Sequence, residues 1–324
     1  MCGRYAASRR PEDLVEAFEV EATEGNGPGA DPGAAQPDYN VAPTRTAPVV
    51  LERVPRDAPT DAPGGRGERA GRPESEPDDP AAGAADEDGD ATADAAVAAA
   101  QAAADDAPAE PVRWLRLLRW GLVPSWAKDA SVGNRMINAR AESLLEKPAY
   151  RRAALARRCL VPADGWFEWQ PSPTEKDAKG KPRKQPFFMR PVADGPIAFA
   201  GVYELWRDPD VHPDDPAAWR ATYAVVTTAA EPGLSAIHDR MPLVLPPDRW
   251  DDWLDPRQRD PDVVRALLAP PVAGRFVAVP VSARVNAVGN NDAALLEPVP
   301  RDQLRGVVDP ETNQLLGAAE APLF

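Results

Sequence analysis

Hydrophobic and polar positions follow two different periods along this chain. Helical spacing appears first at Pro11–Val20, where Leu14, Val15 and Phe18 share one side and Pro11 occupies the first turn. Residues 21–38 are a Gly/Pro/Asp loop. Strand-like runs follow at Ala47–Glu52 and Val112–Trp120. The spacing over Ala141–Leu155 predicts a helix, broken or kinked at Lys147-Pro148. Strands are predicted at Cys159–Val161, Trp166–Trp169, Pro186–Arg190, Ile197–Trp206 and Ala221–Thr228, with residues 171–185 as a Lys/Pro-rich turn. Leu243–Leu245 is short and apolar, Pro247–Leu254 and Pro261–Leu268 read as helices, and Phe276–Val281 as another strand. Strands outnumber helices and most connections are short, so neighbouring strands should run antiparallel. The predicted class is α+β: one domain with a curved, largely antiparallel sheet or barrel-like core and peripheral helices.

The patterning stops between residues 56 and 110. That stretch has no aromatic residue, no Leu and no Ile, and Val97 is its only β-branched aliphatic. Such a segment buries too little apolar surface to offset its ordering entropy and is expected to be a disordered acidic Ala/Asp/Pro-rich insertion. The expected organisation is a catalytic domain over residues 1–55 and 111–301, the insertion at 56–110, and a weakly specified tail over 302–324.

Charge matters once it is located. The net charge is −14, which at first argues against a nucleic-acid partner. Residues 56–110, however, hold fifteen Asp/Glu and four Lys/Arg, so most of the excess lies there. The remainder is close to neutral and leaves room for a local basic site. Arg outnumbers Lys 31 to 6 and Asp outnumbers Glu 31 to 20, a bias that fits either a high-salt habitat or GC-rich codon usage.

Other classes drop out quickly. No stretch approaches 18 consecutive apolar residues, so no membrane span is predicted. The start of the chain lacks an apolar signal core, so the expectation is a cytoplasmic protein, not a secreted one. Two cysteines and two histidines suffice neither for a disulfide framework nor for a cysteine- or histidine-rich metal cluster, and no metal is expected.

The candidate chemistry begins at Cys2. Removal of Met1 would leave an α-amine and a thiol on adjacent carbons. The amine has an ordinary pKa of roughly 7.7–8, so a usable fraction is neutral near pH 7. It attacks an aldehyde to give an imine, and the thiol then closes a five-membered thiazolidine, helped by proximity. Cys2 is alternatively a plain nucleophile activated by a base. His238 is a candidate acid/base or a backbone-bonded structural histidine. Glu168 sits inside Trp166-Phe167-Glu168-Trp169. Strand alternation puts Glu168 and Trp166 on one face, and desolvation there would raise its pKa. Asn138 and Arg140 suit a hydrogen bond to a reacting oxygen and a phosphate clamp, or else a helix cap and a surface charge. Trp120 and Trp126 suit base stacking or the core. Cys159 reads as a buried strand residue, and His212 as solvated.

The strings carrying these residues are Met1-Cys2-Gly3-Arg4-Tyr5, Tyr39-Asn40-Val41-Ala42-Pro43-Thr44 and Trp120-Gly121-Leu122-Val123-Pro124-Ser125-Trp126. They continue with Ile137-Asn138-Ala139-Arg140-Ala141-Glu142, Ala163-Asp164-Gly165-Trp166-Phe167-Glu168-Trp169 and Ile237-His238-Asp239-Arg240-Met241-Pro242. In order and content they resemble the SOS-response-associated peptidase (SRAP) family, from Cys2 to about Asn286. The resemblance implies self-removal of Met1 and a covalent thiazolidine link between Cys2 and the ring-opened sugar of an abasic site in single-stranded DNA, with possible strand cleavage. It further implies Cys2, Asn138, Glu168 and His238 as the catalytic set and Arg4, Asn40, Pro43, Trp126 and Arg140 as DNA contacts. No cofactor is implied. The insertion at 56–110 departs from the pattern but falls between strings. Two other readings stay open: a cysteine peptidase or amidase using Cys2 and His238 on other proteins, and a noncovalent single-strand binder.

Overall fold

In the computed structural model, residues 2–24, 36–54, 110–212, 215–270 and 273–317 are described. The predicted insertion at 56–110 therefore lies, Glu110 aside, outside the described residues, as does part of the predicted tail.

The strands in chain order are β1 (Tyr5–Ala7), β2 (Ala22–Glu24), β3 (Asp38–Val41), β4 (Thr46–Arg53), β5 (Val112–Trp120), β6 (Asn138–Arg140), β7 (Arg158–Ala163) and β8 (Gly165–Lys176). They continue as β9 (Pro182–Pro191), β10 (Ile197–Arg207), β11 (Trp219–Ala229), β12 (Arg240–Pro242), β13 (Val244–Leu245) and β14 (Phe276–Pro280), and end with β15 (Val307–Val308) and β16 (Leu315–Leu316). Helices are few and short: α1 (Pro11–Ala17), α2 (Pro148–Ala156), α3 (Trp250–Leu254) and α4 (Pro261–Leu267). The class is α+β, as the patterning predicts.

One sheet closes on itself. Antiparallel pairing joins β11 to β10, β10 to β7, β7 to β4 and β4 to β5. A short parallel pairing of Thr222 and Tyr223 with Arg119 and Trp120 then joins β5 back to β11. The five strands thus form a barrel without free edges. Beyond Trp120 the chain leaves β11 and returns as β6, which pairs in parallel with the next stretch of the same strand, Val225–Thr227. A second, antiparallel sheet in the order β14-β9-β8-β1-β3 covers the barrel.

Alternation along β8 builds the contact between them. Trp166 belongs to the barrel-side core with Tyr5, Trp120, Phe199 and Cys2. Phe167 faces the opposite cluster, with Phe188, Val281 and Val285. Tyr5 is packed edge-on to Trp120 and Phe199, and its hydroxyl meets that of Tyr223 at 2.6 Å. Both tyrosines are fully buried. Tyr5→Phe is therefore expected to lower unfolding free energy by about 1–2 kcal/mol, read by chemical denaturation.

Three local expectations change. The break expected at Lys147-Pro148 is present, but the first half of Ala141–Leu155 is a single 3-10 turn at Ala141–Ser143 rather than a helix, and α2 opens on Pro148. Pro148 starts a helix readily but cannot continue one. Residues 171–185 are not all turn: β8 runs to Lys176 and β9 begins at Pro182. Asn138 is not a helix cap; it opens β6 opposite Val225. None of the helices is long and apolar enough to cross a membrane among the described residues.

Candidate active site

Cys2 lies just ahead of β1 and is fully buried. β1 is held between β3 and β8, with Tyr5 opposite both Val41 and Trp166. The Asn138 carboxamide clamps this residue, its Nδ2 donating to the Cys2 carbonyl at 2.7 Å. Asn138 is in turn fixed by β6 pairing and by the Tyr150 hydroxyl, which donates to its backbone carbonyl at 3.2 Å. The Asn138 Oδ1 is buried and accepts no hydrogen bond among the described residues. An orphan acceptor of this kind costs roughly 1–3 kcal/mol.

Glu168 is buried on the barrel-facing side of β8, opposite Phe187. Burial pushes its carboxyl up to about 7. Burial also pushes the Cys2 thiol well above its usual range, and the Glu168 charge adds to the shift. The two groups therefore sense each other across the site. The Cys2 thiol is protonated at neutral pH, and Glu168 is poised between its two states.

His238 follows the 3-10 turn Leu234–Ala236 and is partly exposed. Its Nδ1 lies 3.0 Å from both the backbone N–H of Arg240 and the Asp239 carboxylate. Burial pulls its pKa below the usual value, so the ring is mainly neutral at pH 7. Glu142 and Arg240, two residues the sequence did not single out, lock the surrounding strings together. Arg240 forks onto Glu142 at 2.6 and 2.9 Å and also donates to the Thr227 carbonyl at 2.6 Å. The Glu142 carboxyl is lowered by this pairing. The only sequence signal for the pair was that each lies within a motif string.

The expected DNA contacts divide. Arg140 ends β6 with its side chain exposed. Trp126 sits in the turn closed by Ala127 N–H on the Pro124 carbonyl and is 66% exposed. Trp120 is core, its indole N–H donating to the Ile137 carbonyl at 2.8 Å. Pro43 is half-buried in a turn closed by Arg45 N–H on the Ala42 carbonyl. The next residue, Thr44, is held at φ 73°, a strained conformation for a β-branched residue.

Asn40 is placed differently from expectation. It is fully buried, and its Nδ2 reaches the carbonyls of Val285, Ala287 and Asn290 at 3.0–3.2 Å. Its Oδ1 accepts from Arg4 Nη1 at 2.7 Å. Asn40 thus ties down the 285–290 loop and has no atom left for an outside ligand. Arg4 is also partly committed, donating to the Val285 carbonyl at 2.7 Å, with Nη2 near the Asn286 carbonyl at 3.4 Å. Burial lowers its pKa, and the charge of Arg45 adds to this. Cys159 is buried on β7 beside Gly201, in the same core cluster as Cys2. Among the described residues no group of three His, Cys, Asp or Glu is placed to hold a metal ion.

The arrangement brings together a buried thiol, a carboxyl titrating near neutrality, an amide clamp and a neutral imidazole. Such a set suits stepwise proton transfer around a carbonyl or imine better than thiolate attack.

Comparison with known proteins gives the family. A family model described as SOS response associated peptidase (SRAP) matches residues 1–288. The abasic site processing protein YoqW of Bacillus subtilis is 40% identical over 180 residues, covering 56% of this chain and 75% of that protein. The abasic site processing protein YoaM of the same organism is 30% identical over 297 residues, covering 92% of this chain and 98% of that protein. A crystal structure of a protein from Bordetella bronchiseptica shares the fold, with a TM-score of 0.51 at 18% identity over 87% of this chain and all of that one.

Proposed function

Since the chain belongs to the SOS response associated peptidase family, we propose that it processes abasic sites in single-stranded DNA by covalent capture on Cys2. The observation that carries this reading is the pairing of a buried Cys2 with a buried Glu168 whose carboxyl sits near 7. Several relatives bear the name abasic site processing protein, and this chain spans nearly all of one of them.

The chemistry runs in three steps. Hydrolysis of the Met1–Cys2 peptide bond by water frees methionine and leaves Cys2 with an α-amine. The neutral amine adds to the aldehyde of the ring-opened sugar, and loss of water gives an imine. The Cys2 sulfur then bonds to the imine carbon while its proton passes by way of Glu168 to the nitrogen, closing the thiazolidine. Strand cleavage would branch from the imine, by removal of a proton from the carbon beside it and departure of the 3′ phosphate. His238, mainly neutral, serves as the proton donor during dehydration. The unused Asn138 Oδ1 suits an N–H of the freed Cys2 amine, while its Nδ2 keeps the carbonyl in place. Arg140 and the partly committed Arg4 neutralise phosphates, Pro43 lines the approach, and Trp126 stacks on a base beside the lesion. Asn40 acts by holding Arg4 and the 285–290 loop.

The peptidase reading is less well supported. A cysteine that attacks unactivated amides needs a depressed pKa and a cationic partner. Here the thiol is raised and His238 is held mainly neutral. An amine-first route does not need the thiolate at the outset.

Intact-mass measurement tests the proposal. The purified protein should lack one methionine residue. With an abasic single-stranded oligonucleotide, it should gain the mass of that oligonucleotide less one water. Absence of the adduct despite loss of Met1, together with turnover of unrelated peptides, would favour the peptidase reading instead.

A further inference from the structure

The chain contains six lysines among 37 basic residues, and four of them, Lys176, Lys179, Lys181 and Lys184, fall within nine positions. These positions form the far end of the β8–β9 hairpin. Its tip is firmly built: Asp177 Oδ1 accepts the N–H groups of Lys179 and Lys181, both at 2.9 Å, and Gly180 supplies the left-handed turn at φ 75°. The hairpin therefore presents its lysines in a fixed register.

A groove of about 830 Å³ runs beside this hairpin. Its lining includes Lys181, Arg183 and Lys184 together with Asp177 from the hairpin, and Ala283 and Asn286 from the facing turn; Arg183 is partly committed, one Nη donating to the Arg305 carbonyl at 3.3 Å. Trp169 also lines it, its indole N–H donating to Asn286 Oδ1 at 2.7 Å. Asn286 is also the residue whose carbonyl lies near Arg4 Nη2. The groove is thus continuous with the loop that Asn40 and Arg4 anchor at the reaction centre. The charge of Lys184 is felt at Glu168 and at His238, which places this end of the hairpin within electrostatic reach of both.

We propose that this groove is a phosphate track for the lesion-bearing strand, with Lys181, Arg183 and Lys184 pairing backbone phosphates as the strand leaves the reaction centre. The proposal rests on the abasic-DNA reading above and extends it to the flanking strand. A polyanionic single strand fits the walls because phosphate pairing needs cations without directional base contacts. Lysine suits that task as a flexible point charge. The lysines stand out in a chain that otherwise uses arginine, so codon bias does not account for their placement.

The test compares two abasic oligonucleotides, one trimmed to about three nucleotides and one extended by about ten on each side of the lesion. Binding and adduct yield are followed against salt for the full chain and for the Lys181→Ser/Arg183→Ser variant. For the parent chain the long strand should show the steeper salt dependence. In the variant the log–log slope on the long strand should fall by about 1.4, roughly 0.7 for each lost phosphate contact. The long-over-short advantage should shrink accordingly. An Arg151→Ser/Arg152→Ser variant on α2, away from the groove, controls for net charge. If the long-strand slope and advantage survive in the Lys181/Arg183 variant, or fall equally in the α2 control, the track is overturned and the lysines are a solubilising hairpin tip. If the parent chain forms no adduct with either oligonucleotide, the abasic-DNA reading fails, and the track with it.

Discussion

Cys2→Ala is expected to remove the denaturation-resistant adduct with abasic single-stranded DNA, reducing it at least about 100-fold, while noncovalent binding persists. Alanine keeps an α-amine, so an imine still forms. It cannot close the ring, because no sulfur is present to bond to the imine carbon. The imine stays hydrolysable and should become visible only when trapped by a borohydride. The side chain lost is small, so the melting temperature should move little, which separates the chemical effect from unfolding. The readout is a denaturing gel with and without reductant. A persistent adduct in Cys2→Ala without reductant would show that the thiol is not the linking atom.

The second large effect concerns Glu168, where catalysis and stability should move in opposite directions. Glu168→Gln removes the group proposed to carry protons between sulfur and nitrogen, and a loss of about 10²–10⁴-fold in adduct formation is expected. The rate should lose its inflection near pH 7 as well. The stability argument has a definite sign. The folded-state pKa of Glu168 is raised to about 7 from the ordinary carboxylate range, so the folded protein holds this proton more tightly than the unfolded chain. Its favourable contribution is complete at pH values below the ordinary pKa and is lost as pH rises through about 7. Above that, the native state carries a desolvated charge. Glutamine avoids this cost, so Glu168→Gln should be more stable than the parent at pH 8, by up to about 3 kcal/mol. The difference should vanish near pH 4. Urea unfolding across pH checks this; equal stability at pH 8 together with an unchanged rate profile would remove Glu168 from the mechanism.

How much of this was legible in the sequence depended on whether the deciding contact was local. The alternation of Val112–Trp120 declared β5, because one strand face is buried along its length. The segment 171–185 hid two strand ends, because a hairpin in water on both faces has no apolar alternation to display. Asn138 looked equally fit to cap a helix or to line a site; its place in β6 is decided by Val225, 87 positions on. The same limit applies to Arg4 and Asn40. Their chemistry was visible, but their partners at 285–290 lie more than 240 residues away. Trp120 and Trp126 were indistinguishable as candidates. Only the fold separates them, sending the first into the barrel core and leaving the second exposed. The desolvation of Glu168 was legible because a carboxylate among aromatics is written in adjacent residues.

The placement of β1 bears on when the proposed chemistry can begin. Cys2 stands at position 2 of the sequence, yet it is held by Asn138, and β1 is held by β8 at Trp166. Asn138 is in turn held by β11, and His238 follows later still. The first end of the chain must therefore wait, as a loose strand on the ribosome, until about three-quarters of the protein has emerged. Under the proposed chemistry, removal of Met1 would then come late in the life of each molecule, and an incomplete translation product would carry a capped Cys2.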